Sequence, residues 1–161
     1  MEQFAAVSEN KQYRYSLLRL WDIELPRICF VMLNPSTADG EKDDPTIRKC
    51  IGFAKKLGYG SLDVVNLYAY RSTDPKELRK IAYPVGPEND KYIQAAIARS
   101  YLVVAAWGIN ATDPVRVNEV LDLIGSAMCL GRTNKGAPRH PLFVPYNTEL
   151  IRYCKEGRLI E

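Results

Sequence analysis

The run Ile28-Cys29-Phe30-Val31-Met32-Leu33-Asn34-Pro35-Ser36-Thr37 decides the fold. Six consecutive apolar side chains leave no face of a strand for water, so the segment reads as a strand buried on both sides of a sheet. The polar Asn34-Pro35-Ser36-Thr37 ends it abruptly. From Thr46 onward, Ile47, Cys50, Ile51, Ala54 and Leu57 fall at helical spacing as far as Gly58, where a left-handed cap is expected. Strand, polar loop and helix make one β-loop-α unit.

Upstream of it, residues 13–21 read as an edge strand. Downstream the unit recurs: a buried strand at 62–67, a short helix at 76–81, a longer helix at 90–99, a buried strand at 101–106 and a helix at 115–124. Short strand patterns follow at 127–130 and 142–144. This alternation specifies an α/β fold, a three-layer sandwich with a mainly parallel central sheet covered on both faces. Asp44-Pro45, Asp74-Pro75 and Asp113-Pro114 each stand where a helix should begin, with Asp as N-cap and Pro in the first helical position. In a parallel sheet those starts follow the C-terminal ends of strands, so an anionic ligand is expected on that edge.

Composition narrows the class. With 161 residues and 47% hydrophobic side chains the chain can bury a core of its own, and no linker, low-complexity tract or repeat divides it, so residues 1–161 read as a single α/β domain. The first residues resemble no signal peptide and no stretch is long and apolar enough to span a bilayer, so a cytoplasmic protein without membrane contact is expected. Cys29, Cys50, Cys129 and Cys154 lack the close pairing of zinc or cluster sites and read as buried thiols. A net charge of +3 does not by itself mark a nucleic-acid binder. The segment 131–140, however, holds Arg132, Lys135 and Arg139 without an acid, which suits either a phosphate- or DNA-facing loop or a solvated one.

Three residues stand out chemically. Asn34 closes a buried strand before Pro35, at the rim of the sheet, with a donor and an acceptor to offer. Asn66 is the single polar residue in Val64-Val65-Asn66-Leu67-Tyr68, so its amide either satisfies backbone groups or faces a polar ligand. His140, the only histidine, stands between Arg139 and Pro141; it either caps a backbone carbonyl in a turn or serves as an oxyanion donor or acid–base group. No G-x-S-x-G elbow, phosphate loop, dinucleotide fingerprint or pair of histidines is present, and no cofactor is expected. An acidic magnesium site involving Asp39 or Asp43 stays open.

The segments Asn34-Pro35-Ser36-Thr37-Ala38-Asp39, Asp43-Asp44-Pro45-Thr46-Ile47-Arg48, Val65-Asn66-Leu67-Tyr68-Ala69, Thr73-Asp74-Pro75, Pro84-Val85-Gly86-Pro87-Glu88-Asn89-Asp90, Ala105-Ala106-Trp107-Gly108 and Arg139-His140-Pro141-Leu142 resemble the domain-of-unknown-function 1643 family (DUF1643). A second, weaker resemblance is to the uracil-DNA glycosylase superfamily. There, an Asp-Pro or Asn-Pro motif, a base-reading Asn, a Trp-Gly or related turn and a His-Pro motif occur in the order of Asn34-Pro35, Asn66, Trp107-Gly108 and His140-Pro141.

That resemblance implies a uracil-DNA glycosylase-like fold and a metal-independent DNA glycosylase cleaving the N-glycosidic bond of a nucleobase, one that is modified or bulky in some substrates. Asn34 would then position water, Asn66 would read the Watson-Crick edge, His140 would stabilise the leaving base and Tyr68 would stack on it. Pro35, Ser36, Trp107 and Gly108 would shape the pocket; Asp39, an acid added near the first motif, would read a hydroxylated substituent, orient water or cap the helix. Met32, Ser36-Thr37 and Leu142-Phe143 depart from the superfamily's motifs and alter the expected pocket. Two further classes fit the residues: a hydrolase or transferase acting on a free nucleoside or nucleotide, and a non-catalytic nucleotide- or nucleic-acid-binding module.

Overall fold

In the computed structural model, which describes residues 1–154, one seven-stranded sheet runs through the molecule. In chain order the elements are β1 (Glu2–Val7), β2 (Arg14–Leu20), β3 (Arg27–Met32), α1 (Pro45–Lys56), β4 (Ser61–Asn66), a 3-10 helix (Pro75–Lys80), α2 (Asn89–Arg99), β5 (Leu102–Ala105), α3 (Pro114–Ile124), β6 (Ala127–Cys129), a 3-10 turn (Pro141–Phe143) and β7 (Ile151–Tyr153). The strand order is β1-β2-β4-β3-β5-β6-β7.

The sheet is mixed, which corrects the expectation of a mainly parallel one. The central strands β4, β3, β5 and β6 run parallel, whereas β1 on β2, β2 on β4 and β7 on β6 pair antiparallel. The parallel part is where the sequence shows continuous apolar runs linked through helices, as crossover connections require. The antiparallel additions lie at the flanks. Residues 13–21 are interior, because β1 pairs along the outer side of β2. Residues 142–144 form no strand: Pro141 starts a 3-10 turn there, and β7 supplies the last edge.

Alternation along β3 sorts the core. Ile28, Phe30 and Met32 pack with Ile47, Cys50, Phe53 and Ala54 of α1, while Cys29, Val31 and Leu33 pack with Ile93 and Ala96 of α2 and Val120, Leu121 and Ile124 of α3. Helices therefore cover both faces. All four cysteines are buried, and none is in a disulfide.

The Asp-Pro pairs cap as expected: Asp44, Asp74 and Asp113 accept from the backbone N–H groups of Ile47, Lys76 and Val115 at 2.9, 2.9 and 3.0 Å. Gly58 follows α1 with φ +87°. These three helix starts follow β3, β4 and β5, which are parallel, so they stand at one edge of the sheet. No helix among the described residues is long and apolar enough to cross a membrane.

Candidate functional site

At that edge the loops after β3, β4, β5 and β6 enclose a cavity of about 680 Å3. This is within the usual size range for small-molecule sites. Arg14, Met32, Ile47, Val64 and Asn66, all nearly excluded from solvent, line its deep end; Ile109 and Phe143, at 68% and 81% exposure, line its mouth.

Of the residues singled out from sequence, Asn34, Pro35, Ser36, Asn66, Trp107, Gly108, Arg139 and His140 come together around this one cavity. Asp39, Tyr68, Arg132 and Lys135 are not in its lining. Asp39 builds its own loop: its carboxylate accepts from the N–H groups of Glu41 and Lys42 at 2.8 Å each, which also holds it below the usual carboxylate range. Asp43 pairs with Arg19 at 2.8 Å. No group of three or more potential metal-ligating side chains occurs among the described residues. Tyr68 packs against the α2/α3 side of the core. Arg132 and Lys135 belong to a loop closed by the Arg132–Pro138 bridge and by bonds between Thr133 and Ala137.

Asn34 is oriented by two carbonyl oxygens. Its Nδ2 donates to Ser72 O at 2.9 Å and Pro35 O at 3.1 Å, which leaves the acceptor Oδ1 to offer a ligand. Asn66 is held differently. Its backbone carbonyl accepts from Asn89 Nδ2 of α2 at 2.9 Å, fixing the strand end, while its side chain makes no hydrogen bond among the described residues. At 1% exposure the Asn66 Nδ2 is an orphaned buried donor in the cavity wall. Such a group costs about 1–3 kcal/mol in an unliganded protein, so a ligand that supplies an acceptor recovers it.

His140 opens the final 3-10 turn, and its Nδ1 accepts from the N–H of Leu142 at 3.2 Å. His140 thus sits in a turn, but the expected cap on a carbonyl is not what it makes there: the imidazole takes an amide proton instead. An accepting Nδ1 carries a lone pair, so the ring proton is on Nε2. Burial pushes the imidazolium pKa below its ordinary value, with the Asp44 charge opposing only in part, so the ring is a neutral Nε2–H donor at neutral pH. Gly108 lets the turn after β5 approach it: with φ +76°, a Cβ there would stand 3.2 Å from His140 Cβ.

Sequence reasoning missed Arg14, Ser72, Thr73, Asn110 and Thr133 as cavity residues. Arg14 arrives through a bulge. Ala6 pairs with Ser16 but Val7 with Arg14, so Tyr15 is an extra residue in β2. Tyr15 stacks on Tyr92 of α2, ring centroids 5.0 Å apart, whereas Arg14 reaches the opposite side and donates through Nη1 to Ala38 O at 2.8 Å.

This arrangement is an α/β sheet with a cavity, lined by apolar and polar side chains, at the C-terminal edge of its parallel strands, the edge where open α/β sheets commonly take ligands. The family model for the protein of unknown function DUF1643 matches residues 14–142, most of the chain and all of the cavity except Phe143, and the chain belongs to that family. Comparison with curated proteins and with solved structures returned no match.

Proposed function

We propose that the cavity binds a nucleobase and that the protein is a DNA glycosylase-like hydrolase, in keeping with the weaker resemblance of its motifs to the uracil-DNA glycosylase superfamily. One observation carries the reading: the buried, unpartnered amide of Asn66 shares a cavity with the neutral Nε2–H of His140. An amide with donor and acceptor both unspent complements the alternating carbonyl and N–H edge of a base.

In the proposed reaction, the C1′–N bond breaks with its electron pair passing to the base. His140 Nε2–H donates to the oxygen on which that charge develops, in a site where burial strengthens the interaction. Asn34 Oδ1 accepts from a water that attacks C1′ of the cationic sugar, and the proton the water loses balances the one the free base gains. Stabilising the leaving anion and the cation lowers the barrier without a metal.

The test is base release from single- and double-stranded oligonucleotides carrying uracil, thymine mismatches, hydroxymethylated and glucosylated pyrimidines, and deaminated or alkylated purines, with alkali converting abasic sites to breaks. Release of one base is expected, lost in Asn34→Ala and His140→Ala proteins that stay folded. Unchanged release in both variants removes the assigned roles.

A second reading, chemistry on a free nucleoside or nucleotide, is favoured by Arg132 and Lys135 standing outside the cavity lining. Tight mononucleotide binding with no DNA affinity at low salt would select it.

A further inference from the structure

Among the described residues three arginines are almost fully buried, and two show what a structural arginine looks like in this fold. Arg19, at 0% exposure, bonds Asp43 Oδ1 and the carbonyls of Leu18, Asp39 and Lys42. Arg116, at 3%, bonds Leu67 O, Asp90 and Glu119. Each guanidinium has a carboxylate, and each of its nitrogens has a partner.

Arg14 is the exception. At 2% exposure it donates only from Nη1 to Ala38 O, its Nε is buried without a partner, and no carboxylate lies within 4.0 Å among the described residues. The neighbouring Asp44 spends its oxygens on the N–H groups of Ile47 and Ala38, at 2.9 and 3.3 Å. Burial lowers the Arg14 pKa to about 10, so the group stays charged at neutral pH. The Asp44 charge, and less so that of Asp39, opposes this shift from beyond ion-pair distance, but a buried guanidinium with no directly bonded carboxylate and an unpartnered Nε is unfavourable. Yet the β2 bulge turns this side chain into the cavity wall, where Asn66 presents a second orphaned donor.

We propose that Arg14 is an oxyanion subsite: the cavity's ligand carries a carboxylate or phosphate group that docks on the unpaired Nε/Nη2 edge of Arg14 while Asn66 reads the adjoining base. The chemistry follows from the guanidinium's shape, since its side edge presents two parallel N–H groups that match two oxygens of such an anion. The proposal deepens the base-binding reading for Asn66 and narrows the ligand to one bearing an anionic oxygen group.

The test measures affinities by calorimetry for uracil, 5-carboxyuracil, thymidine, thymidine 5′-monophosphate and inorganic phosphate, on wild type, Arg14→Gln and Arg14→Lys. An anionic probe is expected to bind wild type about tenfold or more tighter than its neutral parent. The gap disappears in Arg14→Gln and shrinks in Arg14→Lys, which keeps the charge and loses the fork; the Lys variant alone decides should Arg14→Gln fail to fold. Preference for 5-carboxyuracil places the oxyanion on the base, and preference for the monophosphate places it on the sugar. Arg14-dependent binding of inorganic phosphate, with none of the bases or nucleosides binding, upholds the subsite and defeats the base reading. Equal affinity for neutral and anionic probes, no binding of any anion, or a gap undiminished in the Arg14 variants overturns the proposal.

Discussion

Asn66 and His140 were legible in the sequence because each stands out from its surroundings: one polar residue in the run Val64-Val65-Asn66-Leu67-Tyr68, one imidazole in the chain. Arg14 was not, since an arginine near the start of a strand ordinarily faces solvent, and the side it takes depends on a bulge in the pairing of β2 with β1 that no local pattern announces. Asp39 looked chemical and is architectural, because a carboxylate can serve its own turn as readily as a ligand. The orphaned Asn66 amide makes a specific expectation: Asn66→Leu should stabilise the unliganded protein by about 1 kcal/mol, raising Tm by roughly 2–4 °C, while removing ligand binding. A calorimetric melt showing destabilisation instead would mean that the amide has a partner in the folded chain. For His140 the folded pKa lies below the ordinary 6.5, so below pH 6.5 the unfolded state binds more protons. Its contribution is fully present above pH 6.5 and declines as pH falls toward the folded value, where protonation of Nδ1 also breaks the bond from Leu142. Denaturant melts across that range should show a fall in stability that is smaller in His140→Gln; identical pH profiles would remove the inference.

At the scale of elements, periodicity located α1, α2 and α3 closely, and the Asp-Pro pairs located the starts of α1, the 3-10 helix and α3, because caps and apolar faces are local properties. β1 and β7 escaped notice: β1 is half exposed and β7 has three residues, so neither carries a burial pattern strong enough to read. Residues 142–144 are apolar like a strand, but Pro141 and the His140 cap impose a turn. The caps also differ in what they hold. Asp44 is buried and bonds both Ile47 N and Ala38 N, joining the start of α1 to the loop that carries Asn34-Pro35, whereas Asp74 and Asp113 are exposed. Asp44→Ala should therefore cost about 2 kcal/mol or more, and the corresponding changes at Asp74 and Asp113 about 1 kcal/mol or less. Equal losses at all three positions, measured by urea denaturation, would show that Asp44 does no more than cap its helix.

At the scale of the molecule, the parallel centre of the sheet could be read because strand, loop and helix alternate along the chain, and with it the edge at which the polar loops gather. The antiparallel flanks could not, since pairing between distant segments leaves little local trace. Convergence of Asn34, Asn66, Trp107 and His140 on one cavity followed from their placement at or beyond the C-terminal ends of parallel strands. The central claim is that this cavity reads a nucleobase through Asn66 and His140. The most direct measurement follows the side-chain amide signals of Asn66 and the ring nitrogens of His140 by proton–nitrogen NMR, assigned with Asn66→Leu and His140→Gln, while free bases and mononucleotides are titrated in. The account expects one of them to shift both sets of signals with a common saturation curve, the His140 ring remaining neutral with its proton on Nε2. Binding that leaves both unchanged, or no binding by any base or mononucleotide, would contradict it.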